Sequence, residues 1–304
     1  MAENSAQHSS ALEALAHLRF GKLSEAELRL LDAAPKGKTA WCGPKFVPGS
    51  PDYNPAKADQ WSAEREIRAG LISWLCIKTD AVKEIDPSGI QVVGAKILGR
   101  LNLFFAAIGF PLLFQCCRFY DDIDLKFVTV PAVNLSGSFI GSLIADGIHV
   151  RGDVSLDHGF TSLGELRVLD AQIGGSLSCR AAKLKNSGIA LAADRAEIAG
   201  SINLDEGFSA EGEVRLPSTR IGCQLTCNFG TFGSLDLQGA AVSDSLVWRN
   251  VQNPAKVLSP EVAGTSQDAR AYIFLQKPNG AANAAPSNQM PSAKCQVPWL
   301  NAEC

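Results

Sequence analysis

Two pairs of carboxylate residues recur along the chain at positions where they could perform acid–base chemistry. Asp157 returns as Asp205, and Glu165 returns as Glu213, in each case 48 residues later. Carboxylates that face one groove can act as the general acid and the general base of glycosidic bond cleavage if they lie within about 10 Å of each other. These four residues are therefore the catalytic candidates if the chain is a carbohydrate-active enzyme.

The residues around these carboxylates also fit an ordinary surface ladder. Each glutamate precedes an arginine by two residues, Arg167 or Arg215, so the two charges would share one face of a strand and neutralise each other. His158 follows Asp157, but the repeat has Glu206 at that position, which favours a solvated turn over an acid–base pair. Aromatic residues, which form sugar platforms, make up only 7% of the chain. The sequence therefore predicts a non-enzymatic protein without catalytic residues.

Nine cysteines raise the question of a metal or redox centre. Cys179 and Cys227 are 48 residues apart, and two turns of a β-helix would separate them by about 10 Å, beyond disulfide reach. Both occupy a position that leucine fills elsewhere in the repeat, at Leu103, Leu204 and Leu237, which indicates small buried hydrophobic side chains. A zinc site would need paired cysteines or nearby histidines, which the spacing does not supply. The sequence predicts neither a metal nor a cofactor.

Composition and charge exclude several classes of function. The net charge of −3 gives no electrostatic footprint for nucleic acid, and no phosphate-binding or dinucleotide-binding motif is present. The N-terminal stretch that ends at Phe20 lacks the continuous apolar core of a secretory signal. The apolar run 101–117 contains Asn102, Pro111 and Gln115 and is too short for a membrane span. These features predict a cytoplasmic protein with reduced thiols and no integral membrane segment.

An internal repeat must position the candidate residues. Residues 153–160 return as 201–208, and 173–179 return as 221–227. The repeat divides into short units of about a dozen residues each, and apolar and polar residues alternate within each unit as they do in a strand with one buried face. The apolar residues that open the units are Ile90, Leu101, Leu112, Ile123, Val133, Leu143, Val154, Leu166, Leu177, Ile189, Ile202, Val214, Leu225, Leu235 and Leu246.

Two such units give a coil of roughly 20 to 24 residues, and about seven coils would make a rod on the order of 35 Å long. The predicted fold is therefore all-β, a right-handed parallel β-helix with an N-terminal α-helical cap. Three helices are expected in the cap: Ser10–Phe20, a second that begins with a capping box at Ser24, and a third from Asp59 to Ile77 that covers the first coil.

The same patterns predict how the chain is divided into segments. The expected segments are N-terminal helices (1–34), a linker or loop (35–58), a capping helix (59–88), the β-helix repeats (89–251) and a largely irregular C-terminal segment (252–304). Since no obvious cap follows the last unit, we also expect end-to-end or edge-mediated homo-oligomers.

A family resemblance is carried by residues 65–76 (REIRAGLISWLC) and 89–95 (GIQVVGA), with 205–216 (DEGFSAEGEVRL) and 221–227 (IGCQLTC). Together they resemble an uncharacterised group of bacterial β-helical proteins, similar in style to pentapeptide-repeat proteins but without a strict five-residue period. Members are sometimes labelled membrane-associated oxidoreductases. The resemblance implies the β-helix, and its label implies a redox protein at a membrane, although no cofactor motif is present in the sequence.

The predicted function is a non-enzymatic β-solenoid scaffold or protein-interaction module with an unidentified protein partner, since a flat ladder surface suits protein recognition. Two alternatives remain open. One is a carbohydrate-active enzyme that uses the carboxylates in a β-helix groove. The other is the membrane-associated redox protein that the family label suggests.

Overall fold

The computed structural model describes residues 11–44, 51–252 and 257–258. Parallel strands stack into a β-solenoid of about seven turns, and helices precede it. This confirms the predicted mostly-β solenoid with N-terminal helices, while its right-handedness stays a prediction. The predicted C-terminal segment 252–304 lies almost entirely outside the described residues, and the division into segments stays a prediction.

Each coil of the solenoid has four faces, because short strands alternate with corners. Face 1 begins each coil, and its strands pair in parallel in chain order. They are Ala40–Trp41, Ile90–Val93, Leu112–Gln115, Val133–Asn134, Val154–Ser155, Leu177–Ser178, Ile202–Asn203, Leu225–Thr226 and Leu246–Val247. Face 2 follows with Glu66–Arg68, Lys96–Leu98, Arg118–Phe119, Phe139–Ile140, Thr161–Ser162, Lys183–Leu184 and the first parts of Ser209–Arg215 and Thr231–Asp236.

Face 3 contains the second parts of those two long strands, together with Leu101–Asn102, Ile123–Asp124, Leu143–Ile144, Leu166–Arg167, Ile189–Ala192 and Val257–Leu258. Face 4 completes each coil with Thr129–Val130, His149–Val150, Gln172–Ile173, Glu197–Ile198, Arg220–Ile221 and Ala241–Val242. On every face, one side chain of each short strand between residues 40 and 247 points into a continuous apolar core.

The strand register explains the repeat in the sequence. Val133 pairs with Val154, which pairs with Leu177, and Leu177 in turn pairs with Ile202. Each pairing advances the chain by one coil, so the interval from Val154 to Ile202 spans two coils, as predicted. One unit was misplaced, because Leu191 and not Ile189 pairs with Leu166. A bulge between Ile189 and Leu191 shifts the register there.

The corners after face 1 and after face 3 are tight turns that contain a residue with a positive φ. We call them corner A and corner B. At corner A these residues are Cys116, Gly137, Ala181, Phe229 and Asn250, and two turns have a pair of them, His158 with Gly159 and Glu206 with Gly207. At corner B they are Phe105, Phe127, Gly147, Asp170, Arg195, Ser218 and Gly239. Such a φ favours glycine, and a bulky residue there adopts an uncommon conformation.

Helices cover the first coil. They are α1 (Ala11–Phe20), α2 (Glu25–Ala33), α3 (Ala69–Ile77) and α4 (Thr79–Val82), with 3-10 turns at Ala34–Lys36, Pro51–Tyr53, Pro55–Gln60 and Ala63–Arg65. The predicted capping box is confirmed, because Ser24 and Glu27 each accept a hydrogen bond from the backbone N–H of the other, both at 3.0 Å. Glu27 is also buried and accepts bonds at 2.7 Å from the Arg68 guanidinium, which ties α2 to the first strand of face 2.

The predicted helix from Asp59 to Ile77 is wrong in its first half. Residues 66–68 form a strand that pairs with Lys96–Leu98, so the helix α3 begins only at Ala69. The predicted linker also contributes to the solenoid, because Ala40–Trp41 pairs with residues 92 and 93 as the first strand of face 1. Backbone pairing with the first coil outweighs helix propensity in this region.

Candidate functional site

Asp157 and Asp205 both lie at corner A, two coils apart. Since each coil rises about 4.8 Å, their separation is about 10 Å. Asp157 Oδ1 accepts hydrogen bonds from the Ser178 hydroxyl at 2.6 Å and from the backbone N–H of Arg180 at 2.8 Å. Asp205 Oδ2 accepts one from the Thr226 hydroxyl at 2.8 Å. These bonds tie each aspartate to the next coil.

Arg180 belongs to the coil between the two aspartates. Its Nε lies 3.3 Å from Asp205 Oδ1, although that oxygen, which is buried, receives no hydrogen bond. The space between the two carboxylates therefore contains a guanidinium group. A general acid and a general base would need an open site for substrate at that place.

Glu165 and Glu213 lie at the start of face 3, again two coils apart, with the bulge at Ile189 between them. Burial raises the pKa of Glu165; Arg167 opposes the rise and Asp146 adds to it. The sequence predicted that each glutamate neutralises the arginine two residues later. In the structure, each of the two arginines instead pairs with an aspartate of the preceding coil. Arg167 binds Asp146 at 2.6 Å, and its repeat equivalent two coils later is Arg215 with Asp194 at 2.9 Å.

The four candidate carboxylates therefore do not meet at one place. Asp157 and Asp205 precede face 2, whereas Glu165 and Glu213 follow it, so a strand such as Thr161–Ser162 separates the two pairs. The two aspartates accept hydrogen bonds from the next coil, and the two glutamates lie beside arginines that form ion pairs between coils. That none of them is catalytic stays a prediction, and so does the alternative in which they are.

The cysteines are mainly part of the core. Cys179 and Cys227 are fully buried free thiols in the leucine position, as predicted, and burial raises the pKa of both. Cys223 is an exposed free thiol on the corner that follows face 4. Cys116 is disulfide-bonded, so the prediction of reduced thiols is wrong at that position, which no spacing in the sequence indicated. Within the described ranges, no group of three or more His, Cys, Asp or Glu side chains could hold a metal ion.

The apolar run 101–117 forms coil strands and not a membrane span. Leu101–Asn102 lies on face 3, Ala107 bridges to Thr129 on face 4, and Leu112–Gln115 lies on face 1. No helix in the part of the chain that the structure describes is long and apolar enough to cross a bilayer. The cytoplasmic location stays a prediction.

An exposed cluster of three phenylalanines lies at corner B, and the sequence patterns did not predict it. Phe104, Phe105 and Phe127 are 46%, 65% and 48% exposed. The rings of Phe105 and Phe127 stack with centroids 4.8 Å apart and an interplanar angle of 15°, and Phe104 meets Phe105 edge-on at 4.4 Å. We call these three residues the aromatic ridge. Their exposed surface is on the order of 300 Å², a size that often marks an interaction site.

The backbone of the aromatic ridge is unfavourable for its side chains. Phe105 and Phe127 have φ values of 57° and 55°, where the next coil has Gly147 with a φ of 63°. A side chain at Gly147 would meet the Phe127 ring, because a Cβ there would lie 2.5 Å from it. The turn itself does not require phenylalanine at either position, because glycine at Gly147 adopts the same conformation.

Basic groups flank the ridge. Lys126 Nζ lies 5.3 Å from the centre of the Phe104 ring, in cation–π geometry. Arg100 binds Asp124 at 2.8 Å, and Lys126 lies 3.5 Å from the same carboxylate. The side chain of Asp124 is only 6% exposed, whereas those of Arg100 and Lys126 are 53% and 33% exposed. The exposed charge directly beside the ridge is therefore positive.

Open grooves also lie on the described rod. One of about 720 Å³ runs along face 4 beside His149, Gln172 and Arg220, over a floor that includes Gly174 and Gly222. The glycines in that floor are explained by packing, since a Cβ at Gly174 would lie 2.3 Å from the Arg151 carbonyl oxygen. A second groove of about 450 Å³ crosses the first coils of face 1.

No protein-family model, curated protein or solved structure matches this chain. The fold assignment therefore rests on the strand pairing described above. The resemblance to pentapeptide-repeat proteins and the bacterial origin stay predictions.

Proposed function

We propose that this protein is a non-enzymatic β-solenoid scaffold that binds a protein partner through the aromatic ridge. The observation that carries the proposal is the stacked and exposed arrangement of Phe104, Phe105 and Phe127 on a rigid corner. Aromatic side chains have few rotatable bonds and bring a large apolar area to an interface, so they are frequent hot spots of binding. The solenoid contributes a fixed platform, because each coil is hydrogen-bonded to its neighbours along the described rod.

The test removes the rings and keeps the backbone. The double variant Phe105→Gly/Phe127→Gly, here the ridge variant, places glycine where Gly147 and Gly239 already stand with positive φ. Tagged full-length wild type and ridge variant are used to purify partners from the native host, and co-purifying proteins are quantified by mass spectrometry. We expect at least one stoichiometric partner to fall tenfold or more with the ridge variant.

Phe229→Gly is the matched control. Phe229 is 59% exposed and has a φ of 58°, so it shares residue type, exposure and turn position with the ridge but lies at corner A of a later coil. The control should retain the partner. Equal recovery with wild type and ridge variant, or equal loss with Phe229→Gly, would contradict the proposal.

We also propose that the last coil joins a second copy of the chain. Val242, Leu246, Trp248 and Val251 contact the core but are only partly buried, and beyond the strands 241–242 and 246–247 the described residues add no further strand on faces 4 and 1. Unpaired strand edges favour association. Sedimentation velocity should show a dimer that Leu246→Lys weakens, whereas a monomer at all concentrations would contradict this second proposal.

A further inference from the structure

We propose that the segment that binds the aromatic ridge is a short acidic peptide with apolar anchor residues, carried by the partner protein. This inference rests on the proposed function and names the chemistry of the partner. It depends on the area of the ridge, on the sign of the exposed charge beside it and on the arrangement of its side chains.

The area of the ridge selects a short segment. Stable complexes between globular proteins, including dimers of one chain, bury about 800 Å² on each partner. The three rings expose on the order of 300 Å², which fits two or three apolar side chains of an extended or helical peptide. The ridge alone is therefore too small to hold a second copy of the rod.

The charge of the surroundings selects acidic flanking residues. Asp124 is buried and binds Arg100 and Lys126 on their protein side, so it neutralises part of their charge. The two cations remain partly exposed to solvent. A carboxylate on the partner can approach either cation without displacing Asp124. A basic segment would meet two like charges and would be repelled.

The arrangement of the side chains brings both interactions together. Phe104 and Phe105 occupy the second and third positions of one turn, and Lys126 and Phe127 occupy the same positions one coil later. The exposed unit is thus a two-by-two array of three rings and one ammonium group, with neighbours about 5 Å apart along the rod axis. A peptide that crosses the corner can place an apolar side chain on the rings and a carboxylate on Lys126 within a few residues.

A lipid surface is the less favoured occupant. Anionic bilayers are recognised by clusters of four to eight basic residues, whereas within the described ranges Arg100 and Lys126 are the basic side chains that contact the ridge or its buried aspartate. Farther along corner B, Asp146 and Asp170 are paired with Arg167 and Arg195, so these pairs add no net positive charge for a flat anionic surface.

The experiment uses a phage-displayed library of random 12-residue peptides, selected on the immobilised full chain with counter-selection on the ridge variant. We expect enriched peptides to combine apolar residues with Asp or Glu and to bind wild type at least tenfold more tightly than the ridge variant. Lys126→Glu should weaken them by up to about fivefold, as expected for one exposed charge pair. Phe229→Gly should leave their affinity unchanged.

Three results would overturn the inference. They are enrichment of neutral or basic peptides, no enrichment above the ridge variant, and ridge-dependent co-sedimentation of the full chain with vesicles of phosphatidylcholine and phosphatidylserine. Each leaves the proposed function to be decided separately by the purification from the host. A partner lost with the ridge variant but insensitive to Lys126→Glu would support the function and reject the acidic segment.

Discussion

The first two coils and the later coils share the geometry of corner B but present different surfaces along it. The first two place Phe105 and Phe127 at the third turn position, whereas two later coils place Asp170 and Arg195 there. The aspartate and the arginine bind each other through two hydrogen bonds of 2.7 Å that join adjacent coils. The same positive φ is thus combined with ring stacking in one region and with an ion pair in the other.

The fold requires the turn at corner B in every coil, but it does not determine which side chains the turn exposes. The later coils pair their exposed side chains with one another, as Arg167 does with Asp146 and Arg215 does with Asp194. The first two coils leave an apolar cluster in water, which contributes little to stability. The stability of the first two coils must therefore come from their core and from the helices that cover the first coil.

The largest effect should follow the loss of the contact between the helices and the first coil. Glu27→Ala removes the carboxylate that binds the Arg68 guanidinium and also removes the capping box. We therefore expect the free energy of unfolding to fall by about 3 kcal/mol. Coils can open separately in a solenoid. Hydrogen exchange should therefore accelerate in strands Glu66–Arg68 and Lys96–Leu98 but not in Leu225–Thr226. Uniform acceleration would show instead that the two regions unfold together.

The same contact predicts acid sensitivity of the first region. Burial raises the pKa of Glu27, but hydrogen bonds from Arg68 and Ser24 lower it more, so the folded-state value lies below 4.5. A lowered pKa gives stability that is present above about pH 4.5 and is lost as the pH falls through the folded-state pKa. Exchange in Glu66–Arg68 should rise in that interval for wild type. The matched variant Glu27→Gln should lose this pH dependence, and an unchanged profile would contradict the assignment.

The interior of the rod was largely predictable from the sequence. Each coil must fill its core, so apolar residues recur at the spacing of one coil, as Leu112, Val133 and Val154 show. The capping box was also predictable, because it is a local pattern of Ser24 and Glu27. The bulge at Ile189 was not, since a regular strand would place Ile189 and Leu191 on the same side and alternation cannot choose between them.

The exposure of the aromatic ridge was not predicted, because hydrophobic residues are expected in the core. Phe104 and Phe105 lie in the apolar run 101–117, which suggests core positions. Leu103 and Leu125, however, already fill the interior position before each turn, so the two residues that follow must face outward. That signal exists in the sequence but requires the position of the corners. The four candidate carboxylates were placed correctly in the repeat, but Arg180 between two of them could be found only from the stacking of the coils.

A smaller effect should distinguish two buried serines near the middle of the rod. The hydroxyl of Ser138 donates to the Phe114 carbonyl and accepts from the Cys117 N–H, both at 2.9 Å, whereas that of Ser162 has no hydrogen-bond partner. Ser138→Ala should lower the free energy of unfolding by about 2 kcal/mol, and Ser162→Ala should raise it by up to about 1 kcal/mol. Urea denaturation checks both. Equal losses would mean that packing and not hydrogen bonding controls these positions.

The ion pairs of the later coils should each contribute less. Arg215→Ala removes the partner of Asp194, whose side chain is only 16% exposed, and should cost about 1 kcal/mol at low salt. Arg195→Ala breaks a more exposed pair and should cost less than Arg215→Ala. Urea midpoints at low and at high NaCl concentration measure the difference. Losses that do not shrink at high salt would show that the arginine stems, and not their charges, hold these coils together.

The smallest effect is expected at the ridge itself, where Phe105→Gly should change the free energy of unfolding by less than about 0.5 kcal/mol. Glycine relieves the positive φ, a gain of about 1 kcal/mol, and the lost stacking on Phe127 costs a similar amount. Leu103→Gly, two residues earlier and fully buried, is the comparison and should cost several kcal/mol. A large loss for Phe105→Gly would show that the rings stabilise the first two coils. Ring stacking in those coils and ion pairs in the later coils would then both serve stability.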